Sequence, residues 1–176
     1  LCRHATLERS SVLAEHQPTM AAAAPVIADP IVRNRGTLVG SLCHADPQGD
    51  WAAVMAALDG SVIARGPAGE RTISARDFAL GPFQNALAHD EMAVAAVVAA
   101  PRGKAAGGYL KMERRVGDFA TAGVAVAVDL AGDRVARAGI ALTGVGPKTI
   151  TASDAAAILV DRGLTPDSIA EAARAA

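Results

Sequence analysis

The sequence predicts an α+β fold in two pieces. Three observations carry that expectation. Helical spacing of apolar residues dominates the chain before Ser61, with no strand-like run among them. Beyond it, β-branched runs come in neighbouring pairs around turn residues: Ser61–Arg65 with Glu70–Ile73, then Thr121–Leu130 with Val135–Val145. Between the two groups, Pro101-Arg102-Gly103-Lys104 reads as a hinge.

Along the chain, Leu7 to Ile27 reads as two short helices divided near Pro18, with Val12, Leu13, Met20, Ala23, Ala24 and Ile27 on their apolar faces. Asp29-Pro30 is expected to end the second, because proline disfavours helix in the residue before it. A glycine-rich, turn-like segment follows. Asp50 to Leu58 reads as a compact helix, with Asp50 as N-cap, Gly60 just past its end and Trp51 packed inward as an apolar residue of its first turn. Gly66-Pro67-Ala68-Gly69 joins the first strand pair. Ala75 to Pro82 is expected to be irregular. The valines of Glu91–Ala100 favour a strand. Tyr109–Arg115 alternates and is basic, which suits a solvated strand face or a subunit contact. Ala131-Gly132-Asp133 turns the last long hairpin. Helices at Ala152–Val160 and Pro166–Ala175 close the sequence. The chain starts at Leu1 and ends inside a helical pattern with no stop signal, so a fragment of a longer polypeptide is expected.

The composition narrows the functions. The 176 residues carry a net charge of −1, which gives no footing for nucleic acid or an anionic membrane. No apolar run is long enough to span a bilayer, and no integral membrane segment is expected. Cys2 and Cys43 form neither a CxxC pair nor a disulfide framework, and four thiolates are needed for an iron–sulfur cluster, so this chain holds none alone. A reducing, cytoplasmic setting follows. His44 with Asp46 and Asp50 lacks a third strong ligand nearby, so no metal is expected. Cys43 reads as small core filler.

The segment Asn34 to Asp50 carries the most information. It gathers glycines, hydroxyls, a histidine and carboxylates just ahead of an apolar helix. Glycine lets successive N–H groups turn toward one point, and such groups bind phosphate. Thr37 and Ser41 offer hydroxyl donors, and Asp50 an acceptor for a sugar hydroxyl. On these residues alone, two readings stand: one wall of a nucleotide-cofactor site, or a tight connection with no ligand.

Two motifs add a resemblance. Val32-Arg33-Asn34-Arg35-Gly36-Thr37, running through Gly40-Ser41 and His44-Ala45-Asp46-Pro47 to Asp50, resembles the second FAD-binding loop of the medium subunit of molybdenum hydroxylases, the xanthine dehydrogenase and aerobic carbon monoxide dehydrogenase group. Tyr109-Leu110-Lys111-Met112-Glu113-Arg114-Arg115-Val116-Gly117-Asp118-Phe119-Ala120-Thr121-Ala122 resembles the start of that subunit's C-terminal domain. The motifs stand in the family's order. The resemblance implies the C-terminal part of a two-subdomain FAD-binding domain over residues 1–101. A small antiparallel-sheet-plus-helices domain over 105–176 would follow it. It implies an oxidoreductase flavoprotein that takes electrons from the [2Fe–2S] clusters of a small subunit, reduced by a molybdopterin large subunit, and passes them through FAD to NAD or another acceptor. The assembly would be a heterotrimer or its dimer.

By match to the motifs, Thr37, Leu38, Val39, Gly40 and Ser41 would sit on the FAD pyrophosphate, with His44 nearby. Asp50 would contact the polyol or phosphate region, Ile27 would give an apolar contact, and Ala93 would approach the flavin. Lys111 would be a cationic contact, and Phe119 would lie by the flavin ring; without the resemblance Phe119 reads as core. Two departures stand out. The family's Gly-Gly pair is Val39-Gly40 here, and a β-branched residue is poorly tolerated at positive φ. The family's first FAD loop is absent, and Ala106-Gly107-Gly108, feeding a strand, does not replace it. The alternative is therefore an FAD-less assembly module. A stand-alone flavin oxidase with covalently linked flavin ranks last, because His44 lies in no attachment motif.

Overall fold

A computed structural model describes residues 1–101 and 103–176; Arg102, inside the expected hinge, lies outside the described residues. The first part opens with α1 (His4–Glu8), α2 (Ser11–His16) and α3 (Pro18–Ala23), and a 3-10 turn over Ala24–Val26. The break at Pro18 falls as expected, with proline at the first helical position, where its missing N–H is not needed. A further break at Arg9 makes three helices of the expected two. Asp29-Pro30 starts a helix rather than ending one: Asp29 accepts a bond from Val32 N–H at 2.8 Å and caps α4 (Pro30–Arg33).

The glycine-rich segment is also a helix rather than a loop. Thr37 caps α5 (Leu38–His44), its Oγ1 accepting from Gly40 N–H at 3.1 Å. A good cap outweighs the single glycine inside the helix. Next, α6 (Asp50–Ala57) has Gly49 as its N-cap. Asp50 is therefore not the cap; it occupies the first helical position, and its carboxylate turns elsewhere.

The first sheet has strand order β2-β1-β5, all antiparallel, from β1 (Ser61–Gly66), β2 (Gly69–Ser74) and β5 (Met92–Val97). The segment expected to be irregular forms α7 (Ala75–Phe78), capped by Ser74, and a small hairpin of β3 (Ala79–Gly81) and β4 (Gln84–Asn85). The second sheet runs β6-β7-β8-β9, from β6 (Lys104–Met112), β7 (Ala122–Ala131), β8 (Arg134–Thr143) and the short β9 (Ile150–Thr151). β6 starts and stops earlier than the alternation suggested, so Ala106-Gly107-Gly108 lie within it and Arg114 and Arg115 lie in the following turn. Two helices, α8 (Ser153–Arg162) and α9 (Pro166–Ala175), close the chain. A small apolar cluster under α8 joins Ile140 of β8 to Ala155 and Leu159.

The main core unites both parts. Past Asp50, helix α6 is apolar on every side, and Trp51 and Ala53 through Ala57 are fully buried. Such a helix belongs inside a fold. Its alanines let β8 come close: a Cβ added at Gly139 would stand 1.9 Å from Ala57 O. Arg137 closes the helix's carboxyl end, with Nη1 donating to Ala57 O at 2.9 Å and Nε to Asp129 at 2.7 Å. At the opposite end, Thr143 Oγ1 lies 2.9 Å from Pro47 O, tying the end of β8 to the turn that leads into α6.

Gly139→Ala is expected to cost about 1–3 kcal/mol, because backbone must move to admit the methyl group. Gly108→Ala, where an added Cβ meets nothing within 4 Å, should stay within about 0.5 kcal/mol of the parent. Urea unfolding of the two variants checks the contrast.

Candidate functional site

A cleft of about 390 Å³ opens between the α4–α5 region and the segment after β6. Its walls hold eight of the expected site residues: Ile27, Thr37, Gly40, Ser41, His44, Asp50, Lys111 and Phe119. Leu38, Val39 and Ala93 do not line it. Leu38 is turned into the core and Val39 packs against it, because in α5 they occupy the inward face. Ala93 sits in β5 opposite Ala64, half-buried against the same core. Val39 carries no backbone penalty, since it lies in right-handed helix and outside the positive-φ set. Phe119 is 58% exposed at the cleft mouth, so the reading of it as core is set aside. Trp51 is buried as expected, and Cys43 is part-buried against the core, which pushes its thiol pKa up.

The expected fan of amides at Gly40 needs correction. Leu38 N–H is bonded to Cys2 O at 3.1 Å, Gly40 N–H to Thr37 Oγ1 and Ser41 N–H to Thr37 O at 2.9 Å. Those three donors are taken, and of the first-turn amides only Val39 N–H makes no bond among the described residues. Beside it the wall offers hydroxyls. Thr37 Oγ1 accepts from Gly40 and keeps its own O–H to donate. The Ser41 hydroxyl has no hydrogen-bond partner among the described residues.

On the floor lies a buried ionic group. Asp50 Oδ1 accepts from Tyr109 O–H at 2.5 Å, and Oδ2 from Lys111 Nζ at 3.2 Å. Lys111, with its side chain 3% exposed, also donates to Val26 O at 3.1 Å and stands 3.5 Å from Glu113. Burial raises the Asp50 pKa, while the Tyr109 bond and then the Lys111 charge and bond act against that rise. Burial and the neighbouring carboxylate push the Tyr109 phenol far up. Asp50 and Lys111 thus satisfy each other and lock β6 to the start of α6.

Sequence reasoning missed His4. It is 4% exposed, lines the same cleft and accepts a hydrogen bond at Nδ1 from Trp51 Nε1 at 2.9 Å. Burial, then the charge of Arg33, lowers its pKa. A lone histidine in a short helix gave no signal; its partner lies 47 positions away. Among the described residues no group of three or more His, Cys, Asp or Glu is arranged to hold a metal. A wider hollow, about 830 Å³, lies between Leu58-Asp59 and the β7–β8 turn. Its central cation, Arg137, is already matched by Asp129, Asp59 and Ala57 O.

Comparison with known proteins gives two family matches along the chain. Residues 1–100 match the family model described as FAD binding domain in molybdopterin dehydrogenase, and residues 108–176 match CO dehydrogenase flavoprotein C-terminal domain. The chain is 42% identical to the nicotine 6-hydroxylase medium subunit of Paenarthrobacter nicotinovorans, over 97% of this chain and 59% of that protein. It is 36% identical to the carbon monoxide dehydrogenase medium chain of Hydrogenophaga pseudoflava, over 95% and 58%. It superposes on a solved carbon monoxide dehydrogenase of H. pseudoflava with TM-score 0.93 at 37% identity, over 99% of this chain and 61% of that one. The match to quinoline 2-oxidoreductase of Pseudomonas putida 86 has TM-score 0.85 at 30% identity, over 98% and 60%. The chain therefore spans about three fifths of the length of these relatives.

Two outcomes follow from the geometry. Lys111→Met is expected to cost about 3–5 kcal/mol, because it strands a buried carboxylate. Adding Asp50→Asn should recover part of that loss in urea unfolding. The second concerns pH. The folded His4 binds a proton less readily than the unfolded side chain, whose ordinary pKa is 6.5. Below that value the unfolded chain takes a proton that the folded chain refuses, so stability falls on acidification. The unfolding midpoint of the parent should drop more than that of His4→Gln between about pH 7.5 and about pH 5.5.

Proposed function

The chain belongs to the FAD-binding flavoprotein family of the molybdopterin dehydrogenases, and from that premise we propose that it is the FAD-holding part of an electron-transfer subunit. Electrons would enter from the [2Fe–2S] clusters of a small subunit, fed by a molybdopterin large subunit, and leave to NAD or another acceptor. When bound, FAD supplies the redox chemistry; the protein binds and orients it. The assembly is a heterotrimer or its dimer, working in the cytoplasm. We divide the chain into residues 1–101 and 105–176. The relatives are named as medium subunits and chains, which supports the multi-subunit reading. Among the described residues no helix is long and apolar enough to cross a membrane.

The observation that carries the proposal is the convergence of Ile27, Thr37, Gly40, Ser41, His44 and Phe119 on one cleft from three separate segments. The residues fit a cofactor of this kind. Two hydroxyls can donate to phosphate or polyol oxygens, and an exposed phenyl ring at the mouth can meet an aromatic ring face. Leu38, Val39 and Ala93 would act from behind, by shaping the wall. Asp50 and Lys111 would act by fixing its floor, with any direct contact added to the bonds they already make.

A second reading has one observation in its favour. Both charges of the floor are paired internally, as in a scaffold that docks partners without FAD. Purification of the full-length protein with its partners separates the two. Stoichiometric flavin absorbance supports the first, and a folded complex without flavin overturns it. Gly40→Val should lower flavin content severalfold in the folded protein, because an added Cβ would stand 2.7 Å from the Thr37 hydroxyl and displace it. Unchanged flavin loading in that variant would contradict the assignment of this wall.

A further inference from the structure

We propose that His4 is a cofactor-binding residue, its Nε2–H donating to an acceptor oxygen on the phosphate–ribityl chain of the dinucleotide bound in the cleft. The inference rests on the reading of that cleft as the FAD site.

The argument begins with a tautomer. Indole Nε1–H can only donate, so the 2.9 Å bond from Trp51 requires an unprotonated Nδ1 on His4. In the neutral ring the proton must then sit on Nε2. Trp51 is fully buried in the first turn of α6, so the donor that sets this tautomer is itself held by the core. Ring orientation is fixed as well: the His4 and Trp51 ring centroids are 6.1 Å apart, and His4 N–H is bonded to Gly36 O at 3.0 Å.

The opposite edge of the ring has no such partner. Nε2 makes no hydrogen bond among the described residues, although His4 is more than nine-tenths buried. Nε2 is not among the polar atoms cut off from solvent, so this donor without a protein partner is still open to a ligand. The donor lies against the cleft wall at Gly36, where an added Cβ would stand 2.7 Å from Nε2. Only a residue without a side chain at 36 leaves room for that edge of the ring to reach the wall. A fixed, neutral donor at the wall of a cleft that also presents the Thr37 and Ser41 hydroxyls is arranged for an oxygen-rich ligand. Burial and Arg33 keep the ring neutral, so it donates as an N–H of fixed direction and not as a charge.

The test compares two variants of the full-length protein. His4→Phe and Trp51→Phe both lose the His4–Trp51 bond, but only His4→Phe removes the Nε2 donor, since a neutral imidazole released at Nδ1 still favours the Nε2–H tautomer. Flavin affinity, read by equilibrium dialysis with fluorescence detection, should fall about tenfold in His4→Phe, as expected for one lost hydrogen bond. It should change far less in Trp51→Phe. Equal losses in the two variants, or no loss in His4→Phe, overturn the proposal. Histidine ¹⁵N spectra of the unsubstituted protein give a second readout, independent of how the variants fold. The Nε2-protonated tautomer should be present, and its Nε2 resonance should move when flavin is stripped and restored. A resonance that stays in place while flavin binds overturns the role of His4 and leaves the FAD site standing. A protein that takes up no flavin overturns the FAD reading itself and the inference with it.

Discussion

One buried carboxylate organises this molecule. Asp50 stands at the first helical position of α6, where the helix dipole favours a negative charge, and both of its oxygens are taken by residues of β6. A charge removed from water must find partners, and Asp50 has them only when the second sheet lies against the start of α6 in one register. The net contribution of such a buried pair to stability can be small, because desolvation offsets attraction. Its effect is on geometry. Tyr109 and Lys111 arrive from β6, which begins at Lys104, so the bond joins the second sheet to the first half of the chain at the floor of the cleft. Thr143 fixes the adjoining turn from β8. Cleft walls drawn from segments far apart in sequence stay together because this floor does.

The rest of the site illustrates how a fold makes a binding wall from ordinary local rules. Thr37 caps α5 and in doing so keeps a hydroxyl at the surface of the cleft. The Gly36 position lets the His4 ring approach, and Trp51 sets that ring's tautomer from inside the core. The free hydroxyl and imidazole donors are neutral. Asp50 and Lys111 are matched within the protein, whereas Arg35 and Asp118, which also line the cleft, make no ion pair among the described residues. Such a wall offers a ligand directed hydrogen bonds together with a free cation.

Much of this was legible in the sequence, and the failures have physical causes. Long alternating runs gave β7 and β8, and an apolar segment bounded by glycines gave α6. Short elements escaped. Helix α7 and the hairpin after it, Ala75 to Asn85, depend on the Ser74 cap and on contacts with α6, which no local pattern records. Glycines at 36 and 40 suggested a loop, yet they serve close approach beside a capped helix. Asp50 looked like a cap because Asp commonly is one; its burial against Tyr109, 59 positions away, is a tertiary fact. Eight of the eleven expected site residues do face one cleft, since the motif they came from is spatial as well as sequential. His4 was invisible because its importance arises from a bond to Trp51 that only the fold creates.

Hydrogen–deuterium exchange of the full-length protein, flavin-loaded against flavin-stripped, tests the central claim most directly. The account predicts slower exchange on loading for amides over residues 36–44 and 117–119, with α8 and α9 unchanged. Protection confined instead to the hollow around residues 99–100, 103–104 and 129–133, with the α5 wall indifferent to flavin, would contradict it.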